Sequence, residues 1–247
     1  MIRLAGVHKR FSGRPILAGV DLEIPGGGVT FVVGRSGAGK SVLSRCCVGL
    51  MRVDAGEVYF DGERIDEWPE RRLNELRRRV PYVVQGSALL DWMSLSDNVC
   101  VPLVRGLGLG PGQARERAEA ALAKVGLSDL APRAPQEVGP GARKRASIAR
   151  ALALEPEAVL YDEPTTGLDP AAARGVDDVI RALAGQGTTA LVVSHDLASI
   201  ERIADRVALL DDGVIAFHGT SREFFDQREQ VPALRRFFRQ GEETGGA

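Results

Sequence analysis

An α/β fold, with a parallel sheet built around a phosphate-binding loop, is predicted by three observations in this 247-residue chain. An apolar strand, VTFVV at 29–33, runs straight into the glycine-rich segment Gly34-Arg35-Ser36-Gly37-Ala38-Gly39-Lys40-Ser41. A second apolar strand, Ala158-Val159-Leu160-Tyr161, ends in the carboxylates Asp162 and Glu163. From about residue 157 the chain alternates strand-like and helix-like segments, as parallel strands with crossover helices require.

In chain order, the first third is β-rich and punctuated by glycine and proline, with strands expected at VTFVVG (29–34), EVYFDG (57–62) and VPYVVQ (80–85). After residue 86 the pattern turns helical, and QARERAEAALAKVG (113–126) carries alanine and leucine at helical spacing. AVLYDE, DPAAARGVDDVIRALAG and TTALVVSHD then read as strand, helix and strand. A hairpin is expected over RVALLDDGVIAFHG (206–219), turning on Asp212-Gly213. The expected organisation is one domain over 1–247. It comprises a nucleotide-binding core (1–85 and 157–220) with an N-terminal antiparallel β subdomain, an inserted helical subdomain (86–156) and a C-terminal tail (221–247). The last seven residues, GEETGGA, are expected to lie outside the packed fold.

Composition narrows the function classes. Basic and acidic side chains number 32 and 33, giving a net charge of −1; a dedicated nucleic-acid binder usually carries a basic excess, so none is expected. The N-terminus, MIRLAGVHKRFSG, lacks the apolar core of a signal peptide, and no run approaches the roughly 18 apolar residues of a membrane span. Cys46, Cys47 and Cys100 form no disulfide framework and read as core residues in a reducing compartment. The 29 glycines exceed the usual share of about 7% without any repeat, so each needs a local reason.

The clearest local reason is at 34–41, which satisfies G-x-x-x-x-G-K-[ST] between a strand and the helical segment SVLSRCCVGL. Glycines let backbone N–H groups close around phosphate oxygens, Lys40 reaches the β and γ phosphates, and the Ser41 hydroxyl suits Mg²⁺. Arg35, Ser36 and Ala38 complete the loop. Asp162, at the carboxyl end of a parallel strand, suits Mg²⁺ directly or through water, and Glu163 suits the base that orients an attacking water. These features predict a P-loop NTPase with a RecA-like core, ATP and Mg²⁺ being its ligands. The guanine-reading Asn-Lys-x-Asp is absent, since the asparagines, Asn74 and Asn98, are followed by Glu75 and Val99.

Four further segments make the chain resemble the nucleotide-binding subunit of an ABC transporter: Gln85 after VPYVV, RKRASIARAL at 143–152, DEPTTGLDP at 162–170, and His195 in LVVSHD. The resemblance implies that Gln85 samples the Mg²⁺ and water site, that Asp169 lies at a dimer seam, that His195 contacts the γ-phosphate, and that Phe11 stacks on adenine. It also implies a second ATPase subunit, a homodimer being favoured, and an integral membrane permease, with the chain on the cytoplasmic face of the bacterial inner membrane. A non-transport ABC ATPase and a low-turnover regulatory subunit are the rival readings.

One segment departs from the family pattern. Where Leu-Ser-Gly-Gly-Gln is expected, the chain has Val138-Gly139-Pro140-Gly141-Ala142. In the family this segment caps the ATP held by the partner. Here Gly139 brings no hydroxyl and Pro140 no N–H, while Gly141 keeps its amide. Charged hydrogen bonds contribute about 1.5–3 kcal/mol each, so hydrolysis is expected to be slowed rather than abolished.

Three stretches are most similar to the ATPase of Mla/Mce-type lipid transport systems: VVQGSALLDWMSLSDNVCVPL, RKRASIARALALEPEAVLYDEP, and AFHGTSREFF with VPALRRFF. That similarity implies phospholipid cargo, an MCE-domain lipid-binding protein and a small STAS-like accessory subunit. Leu89, Leu90, Trp92 and Met93 are candidates for a permease-facing wall or for core. Arg71, Arg72, Arg77, Arg78 and Arg79 read as a solvated helix face. Phe224, Phe225, Phe237 and Phe238 are expected to dock on this or a neighbouring subunit.

Overall fold

The computed structural model describes residues 1–244, with side chains to residue 239. Its N-terminal sheet is antiparallel, in the order β2-β1-β4-β5, from β1 (Ile2–Phe11), β2 (Arg14–Ile24), β4 (Ala55–Phe60) and β5 (Glu63–Arg64). Inward residues Ile2, Leu4 and Val7 of β1 and Leu17, Val20 and Leu22 of β2 give that sheet one buried face.

The central sheet has the order β10-β9-β3-β8-β7-β6, from β3 (Val29–Val33), β6 (Tyr82–Val83), β7 (Ala158–Asp162), β8 (Thr189–Val193), β9 (Arg206–Asp211) and β10 (Val214–Thr220). Its neighbours pair in parallel except β9 and β10. Every residue of β3, β7 and β8 is buried, the pattern of parallel strands covered on both faces. The β9–β10 hairpin turns on Asp212 and Gly213, both left-handed (φ 48° and 79°), as a two-residue primed turn demands.

Nine α-helices are described: α1 (Lys40–Cys47), α2 (Glu70–Arg79), α3 (Leu95–Val101), α4 (Pro111–Lys124), α5 (Pro140–Leu152), α6 (Pro170–Gly185), α7 (Leu197–Ile203), α8 (Ser221–Asp226) and α9 (Pro232–Thr244). Phe31, Val33, Tyr161 and Val192 face α3–α6 and the tail on one side of the sheet. Val32, Leu160, Leu191 and Val193 face α1, α2 and the N-terminal sheet on the other. The period-two alternation along each strand thus feeds two cores and leaves the carboxyl ends of the strands open.

The structure corrects the strand at 80–85 and part of the tail, and meets other expectations. The strand expected at 80–85 is only Tyr82–Val83; Pro81 has no N–H for a ladder, and the carbonyls of Val84 and Gln85 turn instead to Lys144. Of the final seven residues, 241–244 continue α9 and 245–247 lie outside the described residues. The tail phenylalanines dock on their own chain: Phe224 is buried, with ring centroids of Phe238 at 5.0 Å, Phe225 at 5.3 Å and Phe217 at 5.9 Å. The arginines of α2 are largely paired, Arg72 with Glu63 at 2.6 Å, Arg79 with Glu157 at 2.7 Å, and Arg77 with Glu70. Leu89 packs on the core, whereas Trp92 is 78% exposed. Cys46 and Cys47 are buried, and burial pushes the Cys46 thiol up to about 12. Among the described residues no helix is long and apolar enough to cross a membrane.

Candidate functional site

β3 delivers the loop 34–39 to the start of α1. A Cβ on Gly34 would stand 2.4 Å from Leu210 O, and Gly39 sits at φ 100° as the residue before the helix; glycine alone fits both demands. α1 begins with no side-chain cap and no acidic residue in its first turn, which leaves a positive helix end facing outward. Lys40 lies at that end, nearly buried, its Nζ donating to Gly34 O at 2.8 Å and Arg35 O at 3.1 Å. Burial lowers its pKa, against the charges of Glu163 and Asp162.

The second wall is the carboxyl end of β7, set beside α1 by the sheet order. Ser41 Oγ donates to Asp162 Oδ1 at 2.8 Å, and Tyr82 OH donates to Asp162 Oδ2 at 2.7 Å. Tyr82 OH also lies 2.9 Å from Ser44 Oγ. A hydroxyl and a carboxylate form the hard oxygen set that Mg²⁺ prefers, and two protein ligands leave the water positions that this ion keeps. The residues present therefore fit a phosphate-bound Mg²⁺. Among the described residues no cluster of three or more His, Cys, Asp or Glu side chains offers a dedicated metal cage.

Glu163 follows at φ 49°, a left-handed conformation that costs a non-glycine residue about 1–2 kcal/mol. Its N–H donates to Val193 O at 2.9 Å, which binds the turn to β8. The carboxylate, 13% exposed, lies 4.0 Å from Lys40 Nζ. It accepts from Thr166 Oγ1 at 2.8 Å and stands 3.1 Å from His195 Nδ1. His195 leaves β8 through Ser194 and remains mostly exposed. Lys40, Ser41, Asp162, Glu163 and His195 are thus brought into one cluster by three adjacent parallel strands.

Other sequence-predicted residues stand around that cluster. Gln85 is exposed two residues past the end of β6, its carbonyl bound by Lys144. Phe11 ends β1 on the N-terminal sheet, 44% exposed, with Lys9 Nζ 5.7 Å from its ring centroid. Gly139 and Gly141 open α5, beside Asp169, which caps α6 by accepting from Ala171 N and Ala172 N at 2.9 Å. Those N–H groups hold the Asp169 carboxyl below its ordinary pKa. The two helix starts are in contact: a Cβ on Gly141 would lie 2.9 Å from Ala172 Cβ. Between them is a cavity of ≈ 280 Å³ lined by Gly139, Pro140, Gly141, Arg145 and Asp169.

Sequence reasoning missed Tyr82, Thr166 and Lys144. Thr166 was legible in principle, three residues after Glu163 on a turn. Tyr82 reaches a residue 80 positions away and Lys144 one 59 away, and no local pattern marks such contacts.

A helix end opening from a glycine loop, with lysine, serine and paired carboxylates around it, defines a P-loop nucleotide-binding protein. The family model described as ABC transporter matches residues 17–166. Methionine import ATP-binding protein MetN of Rhizobium etli is 38% identical over 220 residues, covering 89% of this chain and 61% of its own. Glutamine transport ATP-binding protein GlnQ of Bacillus subtilis is 34% identical over 225 residues, covering 91% of this chain and 93% of its own. The chain spans about three-fifths of the length of the methionine-import relatives it matches. Among solved structures, a dimeric ATP-binding cassette in a post-hydrolysis state with ADP and Pi superposes with TM-score 0.81 at 28% identity, covering 90% of this chain and 99% of that one. Clostridium perfringens cbiO1, part of the ABC transporter complex cbiONQ, gives 0.85 at 26%, covering 93% and 92%. The chain belongs to the ABC transporter family and is similar to its ATP-binding proteins. The relatives named here are amino-acid transport proteins, so the lipid-transport subgroup expected from three short stretches draws no support from them.

Proposed function

We propose that this chain is the ATP-hydrolysing motor of a membrane transporter. The observation that carries the reading is the convergence of Lys40, Ser41, Asp162, Glu163 and His195 at one helix end. In this reading Lys40 and the amides of 34–41 bind the phosphates, Ser41 and Asp162 hold Mg²⁺ with Gln85, and Glu163 takes the proton of the attacking water. His195 and Thr166 fix the Glu163 carboxylate, and Phe11 stacks on the adenine. Mg²⁺, when bound, neutralises phosphate charge; phosphoryl transfer otherwise depends on positioning. Gly139 and Gly141 cap the nucleotide of a second copy, with Asp169 at the seam between the two. The chain works as one cassette, a core of 1–85 and 157–220 carrying a helical subdomain of 86–156 and a tail of 221–247. Closure of the two copies on ATP and opening after hydrolysis drive a permease from the cytoplasmic face of the inner membrane. Magnesium-dependent phosphate release by the full chain, abolished in Glu163→Gln with nucleotide binding retained, tests this; release unchanged in that variant contradicts it.

For cargo, the amino-acid relatives support an amino-acid importer. The stretches 83–103, 143–164 and 216–238 favour a second reading, lipid transport with MCE-domain and STAS-like partners. Purification of the tagged chain with its membrane complex separates them: an amino-acid-binding protein in the complex supports the first, and an MCE-domain protein supports the second.

A further inference from the structure

The loop that carries Gln85 is strapped to α5 by two cations. Lys144 Nζ donates to Gln85 O and, at 3.4 Å, to Val84 O; Arg150 donates to Ala88 O at 2.6 Å and to Ser87 O at 3.5 Å. Four carbonyls within five residues therefore answer to one helix, on a segment where the β6 ladder has already ended. Lys144 is 4% exposed. An ammonium is costly to bury, and an apolar side chain of the same length packs as well without that cost. Burial lowers its pKa, while Asp162 and Glu163 are near enough for their charges to oppose the shift. The ammonium thus ties α5 to the Gln85 loop.

We propose that Lys144 is a positioning residue for hydrolysis, holding the Gln85 loop to α5 so that the helix capping a partner's nucleotide and the loop reaching this chain's own move as one piece. The inference rests on the ATPase reading above. It makes capping at one site a condition for placing Gln85 in the other, through a contact confined to a single chain.

The test is steady-state phosphate release by the full chain as a function of ATP and of Mg²⁺, for wild type, Lys144→Met, Gln85→Ala and the double variant. Loss of one charged hydrogen bond predicts that Lys144→Met lowers kcat about tenfold. It also raises the Mg²⁺ concentration for half-maximal rate and leaves the KM for ATP within about twofold. Because Lys144 acts through the Gln85 loop, the double variant is no slower than Gln85→Ala alone, and Lys144→Arg recovers most of the rate. Wild-type kinetics in Lys144→Met, or a double variant whose loss is the product of the single losses, overturns the proposal. If Lys144→Met does not fold, Lys144→Gln gives the same cycle. A wild-type chain with no Mg²⁺-dependent phosphate release defeats the ATPase reading as well, which separates that failure from this one.

Discussion

The phosphate loop and the segment 138–142 are built alike and equipped differently. Each opens a helix after glycine with no side-chain cap, α1 at Gly39 and α5 at Gly139. At α1 the first two residues are Lys40 and Ser41, an ammonium and a hydroxyl, and the hydroxyl is already hydrogen-bonded to Asp162. At α5 the first residue is Pro140, which has no N–H, and the residue before it has no side chain. A helix end supplies amides and a partial positive charge by geometry alone; what it does with a phosphate depends on the side chains placed there. On the proposed function, this difference places the weak step in capping by a second copy rather than in the chemistry at Glu163.

The largest expected effect is at the strong end. Glu163→Gln removes the proposed base and is expected to lower ATP turnover about 100-fold or more, with nucleotide affinity retained in a binding titration. Lys40→Ala removes a charged donor from a nearly buried position and weakens ATP affinity about tenfold to 100-fold, measured by the same titration. At the weak end the change runs in the opposite direction. Gly139→Ser with Pro140→Gly returns a hydroxyl and an amide and raises turnover about tenfold; an unaltered rate breaks the comparison between the two helix ends.

The smallest effect concerns Asp177 of α6, the helix in contact with the start of α5. Its Oδ2 accepts from Ser199 of α7 at 2.9 Å, and its Oδ1 has no partner among the described residues. Burial raises its pKa to about 6. A carboxyl with a folded-state value above its unfolded value binds more protons when folded, so its contribution to stability falls as pH rises from about 4 to about 6 and is flat above. Asp177→Asn removes that decline and is the more stable protein at pH 7.5, as thermal melts across that range check. A variant that keeps the wild-type pH slope assigns the slope to other groups.

Much of this was legible because it is local. The glycine loop, the paired carboxylates at a strand end and the hairpin turn are each specified within about ten residues by backbone geometry and hydrophobic period. The short β6 was not, since its apolar run reads as a strand and only the distant Lys144 shows where the ladder stops. The aromatic tail looked equally suited to a neighbouring subunit, and its burial on Phe217 is a tertiary fact. The lipid assignment rested on three short stretches, 83–103, 143–164 and 216–238, and the matches over 220 residues and more name amino-acid transport instead.

The central claim is that one magnesium-bound ATP is held and cleaved where Lys40, Ser41, Asp162, Glu163 and His195 meet. A titration of MgATP into the full chain, followed by phosphate measurement in the same sample, tests it most directly. Saturable uptake followed by phosphate release, with uptake alone in Glu163→Gln, is the predicted result. Absence of uptake, or release from Glu163→Gln at the wild-type rate, would contradict it.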